Sequence, residues 1–289
     1  MATALFSNLQ EKVLSAPKFD LNGFLDVVTS PKFSEKKGKD WIIDQFPLAI
    51  QLSCFYVVVV FGIKFLMRNR QPFTLTVPLN IWNFILAAFS IMGTIQLTSE
   101  FFGTIASNGL FNSYCKNSNL TEGHSGYWVW LFIVSKMFEL TDTVFLVLRK
   151  RPLMFLHWYH HILTLLYAFF SYPSSPGFNR WGIYLNFFVH AFMYSYYFLR
   201  SMKIRVPGFI AQFITSIQIL QFIISCAVLF HSGFAIYIQG AKCDFDTDVF
   251  VVATFMDVTY LALFINFFLK SYVIGGGKTK YQDKKVKSN

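Results

Sequence analysis

The run QLSCFYVVVVFGIKFL at residues 51–66 decides the fold. It holds four successive valines, Val57 to Val60. Extended back to residue 44, it reaches the roughly 20 mostly apolar residues that a helix needs to cross a bilayer. Working outward, six further segments read the same way: 78–98 after Pro78, 127–148, 153–171, 181–199, 209–231 and 248–271. The composition agrees. Of 289 residues, 54% are hydrophobic, 36 are Phe and only 14% are charged, against about 25% charged in soluble domains. Mean hydropathy is +0.46. These values exclude a disordered chain, a collagen-like fibre, a secreted disulfide scaffold and a soluble globule. The reading is an all-α polytopic membrane protein with seven transmembrane helices.

Breaks between the spans are marked by Arg68, Arg70 and Pro72; by Arg149, Lys150, Arg151 and Pro152; by Pro173, Pro176 and Gly177; and by Arg200, Lys203, Arg205, Pro207 and Gly208. Residues 1–43 form a polar lead without signal-peptide features, 44–271 the helical membrane domain, and 272–289 a basic tail after Gly275, Gly276 and Gly277. No short-period repeat appears. The net charge of +10 needs no nucleic acid, because Lys and Arg collect on the loops of one side, as the positive-inside rule requires. That rule puts the C-terminus in the cytosol and the N-terminus in the lumen. The loops between spans on the lumenal side carry only Lys116, Arg180 and Lys242, while six lysines of the lead weaken the contrast.

Three features fit this topology. Asn119-Leu120-Thr121 is a glycosylation sequon in a lumenal loop. Cys115 and Cys243 fall in two lumenal loops and are expected to pair on the oxidising side; the alternative is two free thiols. Cys54 and Cys226 lie within spans as packing residues. Lys285 and Lys287 stand fifth and third from the C-terminus, in the manner of a dilysine signal for return to the endoplasmic reticulum. The plain alternative is a basic tail beside anionic lipid.

Ionisable residues inside spans are costly and mark functional sites. Lys136, Glu139 and Asp142 follow one another at spacing three in span three, near one helix face; a structural salt-bridge network competes with a ligand-binding wall. His157, His160 and His161 share a face of span four. Asn186, His190, Tyr194 and Tyr197 form a stripe on span five, and Thr215, Gln218 and Gln221 one on span six, where interhelical hydrogen bonding is the competing account. Asp257 in span seven is a lone acid whose plain reading is a pair with a neighbour. Three imidazoles on one helix are hard to explain as packing. Imidazoles suit metals, yet a desaturase-type di-iron site uses about eight histidines to fill two coordination spheres. This chain has six His, and His124 and His231 lie away from the box. The other chemistry is metal-free: an imidazole attacks a thioester and carries the acyl group, with a second His or an acid as base or orienter.

The segments KMFELTDT (136–143), HWYHH (157–161), NFFVHAFMYSYY (186–197) and TSIQILQ (215–221) stand in an order and spacing that resembles the ELO family of very-long-chain fatty acid elongases. The resemblance runs from about residue 40 to the tail, and it is greatest to nematode elongases of polyunsaturated fatty acids. It implies a seven-helix enzyme of the endoplasmic reticulum in which helices 2–7 enclose an acyl tunnel. The implied activity is that of a 3-oxoacyl-CoA synthase: acyl-CoA condenses with malonyl-CoA, with loss of CO2, without metal or other cofactor. Reductases and a dehydratase would complete the cycle, and homodimerisation is left open. The resemblance also implies an acyl-imidazole on His160, with His190 as partner, His157 and His161 orienting or acting in decarboxylation, Glu139 or Asp142 fixing a tautomer and Asn186 holding an oxyanion. Arg149, Lys150, Arg151, Arg200, Lys203 and Arg205 are candidates for the CoA phosphates, against a purely topological role. Polyunsaturated C18 chains are the expected substrates; saturated or monounsaturated C16–C18 chains are the alternative. A metal-dependent desaturase or a transporter explains the pattern less well.

Overall fold

The computed structural model describes residues 12–274, and among them every regular element is helical. The helices are α1 (Leu21–Thr29), α2 (Glu35–Leu66), α3 (Thr76–Cys115), α4 (Gly123–Glu139), α5 (Thr141–Leu148), α6 (Phe155–Ser171), α7 (Asn179–Ser201), α8 (Gly208–Tyr237) and α9 (Thr247–Phe268), with a π turn at Leu269–Val273. The glycines at 275–277 and the lysines at 285 and 287 lie outside the described residues.

The first apolar run sits in a helix that starts nine residues earlier than expected, at Glu35 instead of 44. Ser34 caps it, and Trp41 and Ile42 are buried there. The Trp41 indole donates to the Asp20 carbonyl at 3.0 Å, which seats α1 against α2. The second run lies in a 40-residue element with a break at Gly109. Its φ of +80° is one that glycine adopts without cost. The third expected span is two helices joined at Leu140.

Four helices are long and apolar enough to cross a bilayer: Glu35–Leu66, Thr76–Cys115, Gly208–Tyr237 and Thr247–Val273. Expected spans three, four and five fall on α4–α5, α6 and α7. They miss that standard because they are short or because they carry the charges, imidazoles and amides.

Helix contacts close a circuit in the order α3, α4, α6, α9, α8, α7 and back to α3. α2 lies outside it, against α4, α5 and α6. The most extensive contact joins α3 to α7. Gly93 makes room in it: a Cβ there would collide with the Phe187 ring of α7, so only the smallest residue leaves space for that ring. Phe55, Val58 and Phe65 of α2 are exposed, as suits a lipid-facing surface.

One end of the bundle is closed by a polar latch. The Cys115–Cys243 disulfide, expected from topology, joins the end of α3 to the loop before α9. Beside it, Arg180 is 1% exposed. Its Nε donates to Glu100 Oε1 at 2.9 Å, and its Nη1 to the carbonyls of Ser113 at 2.5 Å and Lys116 at 2.7 Å. Asn119 is exposed on the adjacent turn. Removing one partner of a buried pair costs about 3–5 kcal/mol, whereas an exposed pair is worth about 0–1 kcal/mol. Arg180→Met is therefore expected to lower the detergent-solubilised melting temperature far more than Asp244→Asn, which breaks only the exposed Lys116–Asp244 pair. Equal shifts for the two variants would show that the latch carries no special weight.

Candidate active site

A buried ion pair anchors the site. Lys136 and Glu139, one turn apart on α4, meet at 2.8 Å with almost no exposure. Ser135 donates to the same carboxylate oxygen at 3.0 Å. The ammonium also sits 4.1 Å from the centre of the Phe132 ring and donates to Asn186 Oδ1 on α7 at 3.0 Å. An ammonium has no acceptor capacity, so the oxygen of the Asn186 amide must face it. The amide nitrogen then faces His190 Nε2 at 3.3 Å. That nitrogen can only donate, so Nε2 of a neutral His190 is the acceptor and its proton resides on Nδ1.

The other imidazoles stand on the first two turns of α6, which the Arg151-Pro152 break releases as a fresh helix. His157 and His161 have ring centroids 4.7 Å apart, and His160 and His161 5.5 Å. Across the bundle, the Tyr260 hydroxyl of α9 donates to the His160 carbonyl at 3.0 Å, with the two rings 4.9 Å apart. His157 Nε2 is buried without a hydrogen-bond partner, which leaves it available to a bound molecule.

All four histidines line one cavity of about 870 Å³, together with Asn186, Tyr194, Tyr197, Gln218 and Gln221. Thus span three orients, span four carries the imidazole cluster, and spans five and six complete the wall. Gln218 reaches Met193 Sδ at 3.4 Å. Tyr194 stands edge-on to His190 at 5.3 Å. A smaller cavity of about 80 Å³ adjoins it and shares His160, Asn186, Gln221 and Phe222. Among the described residues, no three His, Cys, Asp or Glu side chains converge as a metal site.

Several expectations need correction. Neither Glu139 nor Asp142 accepts a hydrogen bond from an imidazole among the described residues; Asn186 is what reaches His190. The chain bends at Leu140, so Asp142 leaves the Lys136–Glu139 face. It accepts instead from the Trp82 indole at 2.5 Å and the Tyr194 hydroxyl at 2.8 Å. Asn186 is engaged at both ends, yet its amide nitrogen carries a second N–H beside the one facing His190. Arg149, Lys150, Arg151, Arg200, Lys203 and Arg205 do not line the cavity. Lys150 is occupied with the carbonyls of Arg68 at 3.2 Å and Arg70 at 3.0 Å. The lysine that lines the cavity is Lys270, in the π turn beside Tyr272. Its place as the last basic residue of span seven was the available signal. Trp82 and Tyr260 carried no spacing signal. His124 bonds Gln96, and His231 bonds Tyr114, away from the cavity.

The family model described as the GNS1/SUR4 family matches residues 41–280. The chain belongs to the ELO family. Its similarity to "Long chain fatty acid elongase 1" of Caenorhabditis elegans is 65% identity over 274 residues, covering 94% of this chain and 95% of that one. "Very long chain fatty acid elongase 6" of Drosophila melanogaster is 40% identical over 85% of this chain and 78% of its own length. "Long chain fatty acid elongase 2" of Caenorhabditis elegans is 38% identical over 89% and 94%. Residues from each of the four motifs read in the sequence line the cavity: Asp142, the three box histidines, Asn186 with His190, and Thr215 with Gln218 and Gln221.

Replacing Asn186 by Asp keeps an acceptor for Lys136 but presents an acceptor to His190 where an N–H stood. The expected result is transfer of the imidazole proton from Nδ1 to Nε2, read from the ¹⁵N shifts of selectively labelled His190. An unchanged Nδ1–H tautomer would show that Asn186 does not set it.

Proposed function

We propose that this chain is the condensing enzyme of fatty acid elongation, joining an acyl-CoA to malonyl-CoA with release of CO2 and CoA. The observation that carries the reading is the convergence of four imidazoles and Asn186 on one cavity, which adjoins a second, smaller pocket at His160. In the first step, a His160 ring nitrogen attacks the acyl thioester carbonyl. The C–S bond breaks, CoA thiolate leaves and takes up a proton, and an acyl-imidazole remains. In the second step, the malonyl C–C bond breaks and CO2 departs. The electron pair left on the α carbon attacks the acyl carbonyl, the C–N bond to His160 breaks, its imidazole takes up a proton, and a 3-oxoacyl-CoA two carbons longer forms.

His190 stands across the chamber with its tautomer held through Asn186. His157 is the imidazole with a free buried nitrogen and is the assigned contact for the malonyl carboxylate; His161 packs against both α6 neighbours and positions them. Lys270 at the chamber wall is the partner for the CoA phosphates. No metal or redox cofactor enters this scheme. The substrates are polyunsaturated C18 acyl chains, with reductases and a dehydratase acting next. The polar α4–α5, α6 and α7 complete seven spans, their charges facing the cavity instead of lipid. The protein lies in the endoplasmic reticulum membrane with the N-terminus and Asn119 in the lumen, the latter glycosylated. The retrieval signal assigned to Lys285 and Lys287 and the cytosolic tail fall outside the described residues.

Microsomes of a host expressing the chain, given labelled malonyl-CoA and a panel of acyl-CoAs, are expected to make products two carbons longer. His160→Ala should reduce this by about 10⁴-fold or more, on the order of losing a catalytic nucleophile. Normal extension by the folded variant would remove His160 from the mechanism, and no extension by the parent chain would remove the function.

A further inference from the structure

The smaller cavity is not uniformly apolar. Its walls include Phe132, Phe222 and Met256, yet Asp257 of α9 and Gln221 of α8 also face it. They are 9% and 7% exposed. Among the described residues, neither side chain makes a hydrogen bond, although the neighbouring polar groups do. The Tyr167 hydroxyl donates to Asn179 Oδ1 at 2.8 Å, and Thr164 pairs with the Tyr260 hydroxyl at 2.9 Å. The lone acid of span seven therefore has no structural partner. Buried polar groups are otherwise nearly always hydrogen-bonded, and an exception needs an explanation. Two of them aimed into one cavity point to something that occupies it.

Position says what that occupant is. The Tyr260 hydroxyl reaches the His160 carbonyl, and Asp257 lies three residues before Tyr260, about 4.5 Å along α9 at 1.5 Å per residue. α6 and α9 run antiparallel here: Thr164 to Ser171 share the smaller cavity with Ala253 to Tyr260, and Met154 to His161 share the larger one with Leu263 to Tyr272. Asp257 thus flanks the smaller pocket about one helical turn beyond His160, on the side away from the larger chamber, and Gln221 stands where the two cavities meet, lining both. If His160 carries an acyl group, as the proposed function has it, the first several carbons of that chain pass between them. A saturated segment offers neither group a hydrogen-bond partner. It would displace water and leave both side chains unsatisfied. A chain carrying an acceptor there, an oxygen or the π face of a double bond, receives the Gln221 amide N–H; a hydroxyl also satisfies the Asp257 carboxyl.

We propose that Asp257 and Gln221 form a polar collar that selects acyl chains bearing a hydrogen-bonding group, an oxygen or a double bond, over saturated chains at the carbons just beyond the site of acyl attachment. This rests on the proposed function. The collar acts on which chain is accepted, while the imidazoles act on the bond that is made.

The test compares the full-length protein with Asp257→Leu and Asp257→Asn, supplied with C18 acyl-CoAs that are saturated, unsaturated or hydroxylated near the carboxyl end. Two readouts are taken: kcat/KM for extension, and the thermal shift of purified protein on binding each acyl-CoA. The parent chain is expected to favour acceptor-bearing chains over the saturated one by about tenfold, the worth of one buried hydrogen bond. Asp257→Leu should bring the ratio of hydroxylated to saturated chain close to one by improving the saturated chain, and Asp257→Asn should keep most of it. A larger preference for the hydroxylated chain identifies oxygen as the partner; equal preference for both identifies any acceptor. A ratio unchanged in Asp257→Leu overturns the collar. If the parent chain extends nothing, the condensing function falls, and the binding ratios still decide whether Asp257 discriminates among acyl chains.

Discussion

The ammonium of Lys136 is the constraint around which the bundle is organised. A charge this deeply enclosed requires partners, and it finds one within its own helix and one on α7. Glu139 neutralises it, and Asn186 takes its remaining reach. The second bond has a consequence beyond stability. It fixes which end of the Asn186 amide turns toward His190, and so which ring nitrogen of His190 holds a proton. Charge satisfaction in the core and the protonation pattern of the cavity are the same hydrogen-bond chain.

The same logic separates the helices into two kinds. α2 and α3 present large apolar side chains outward and bury a mixed apolar face inward, with Ile42, Val60 and Leu97 fully enclosed. α4, α6 and α7 carry Lys136, Glu139, the histidines and Asn186, and the circuit of helices turns those groups onto a shared interior. Hydropathy measured along a single helix ranks the second kind below the first, because their polar side chains count against them even where they face the interior. This is why four helices stand out by length and apolarity while the sequence breaks mark seven.

Much of the site was legible because helical spacing places side chains reliably within one helix. The Lys136–Glu139 pair at i, i+3 and the histidines at i, i+3 and i+4 are contacts of that kind. The reading failed where it assumed that a helix continues. Asp142 stands three residues after Glu139, but the bend at Leu140 sends it to Trp82 and Tyr194, partners 60 and 52 residues away. It also failed where a charge has a local use: Lys150 at positive φ folds back onto two carbonyls, which no count of basic residues reveals. The pairing of Cys115 with Cys243 was accessible because it depended only on which loops share a side.

The fork of the cavity at His160 bears on why the middle histidine, and not either neighbour, suits the role of carrier. His157 and His161 line only the larger chamber, whereas His160 lines both. A group that must accept a chain from one partner and present it to another needs the chain to extend away from the incoming substrate. A nucleophile confined to the larger chamber would leave its acyl group in the space that malonyl-CoA has to enter. In the proposed reaction, a chain on His160 has the smaller pocket ahead of it, between α6, α8 and α9, and the larger chamber is left for the second substrate. The chemistry needs one imidazole at a junction, and the i, i+3, i+4 cluster places a single ring there while its neighbours face the open side.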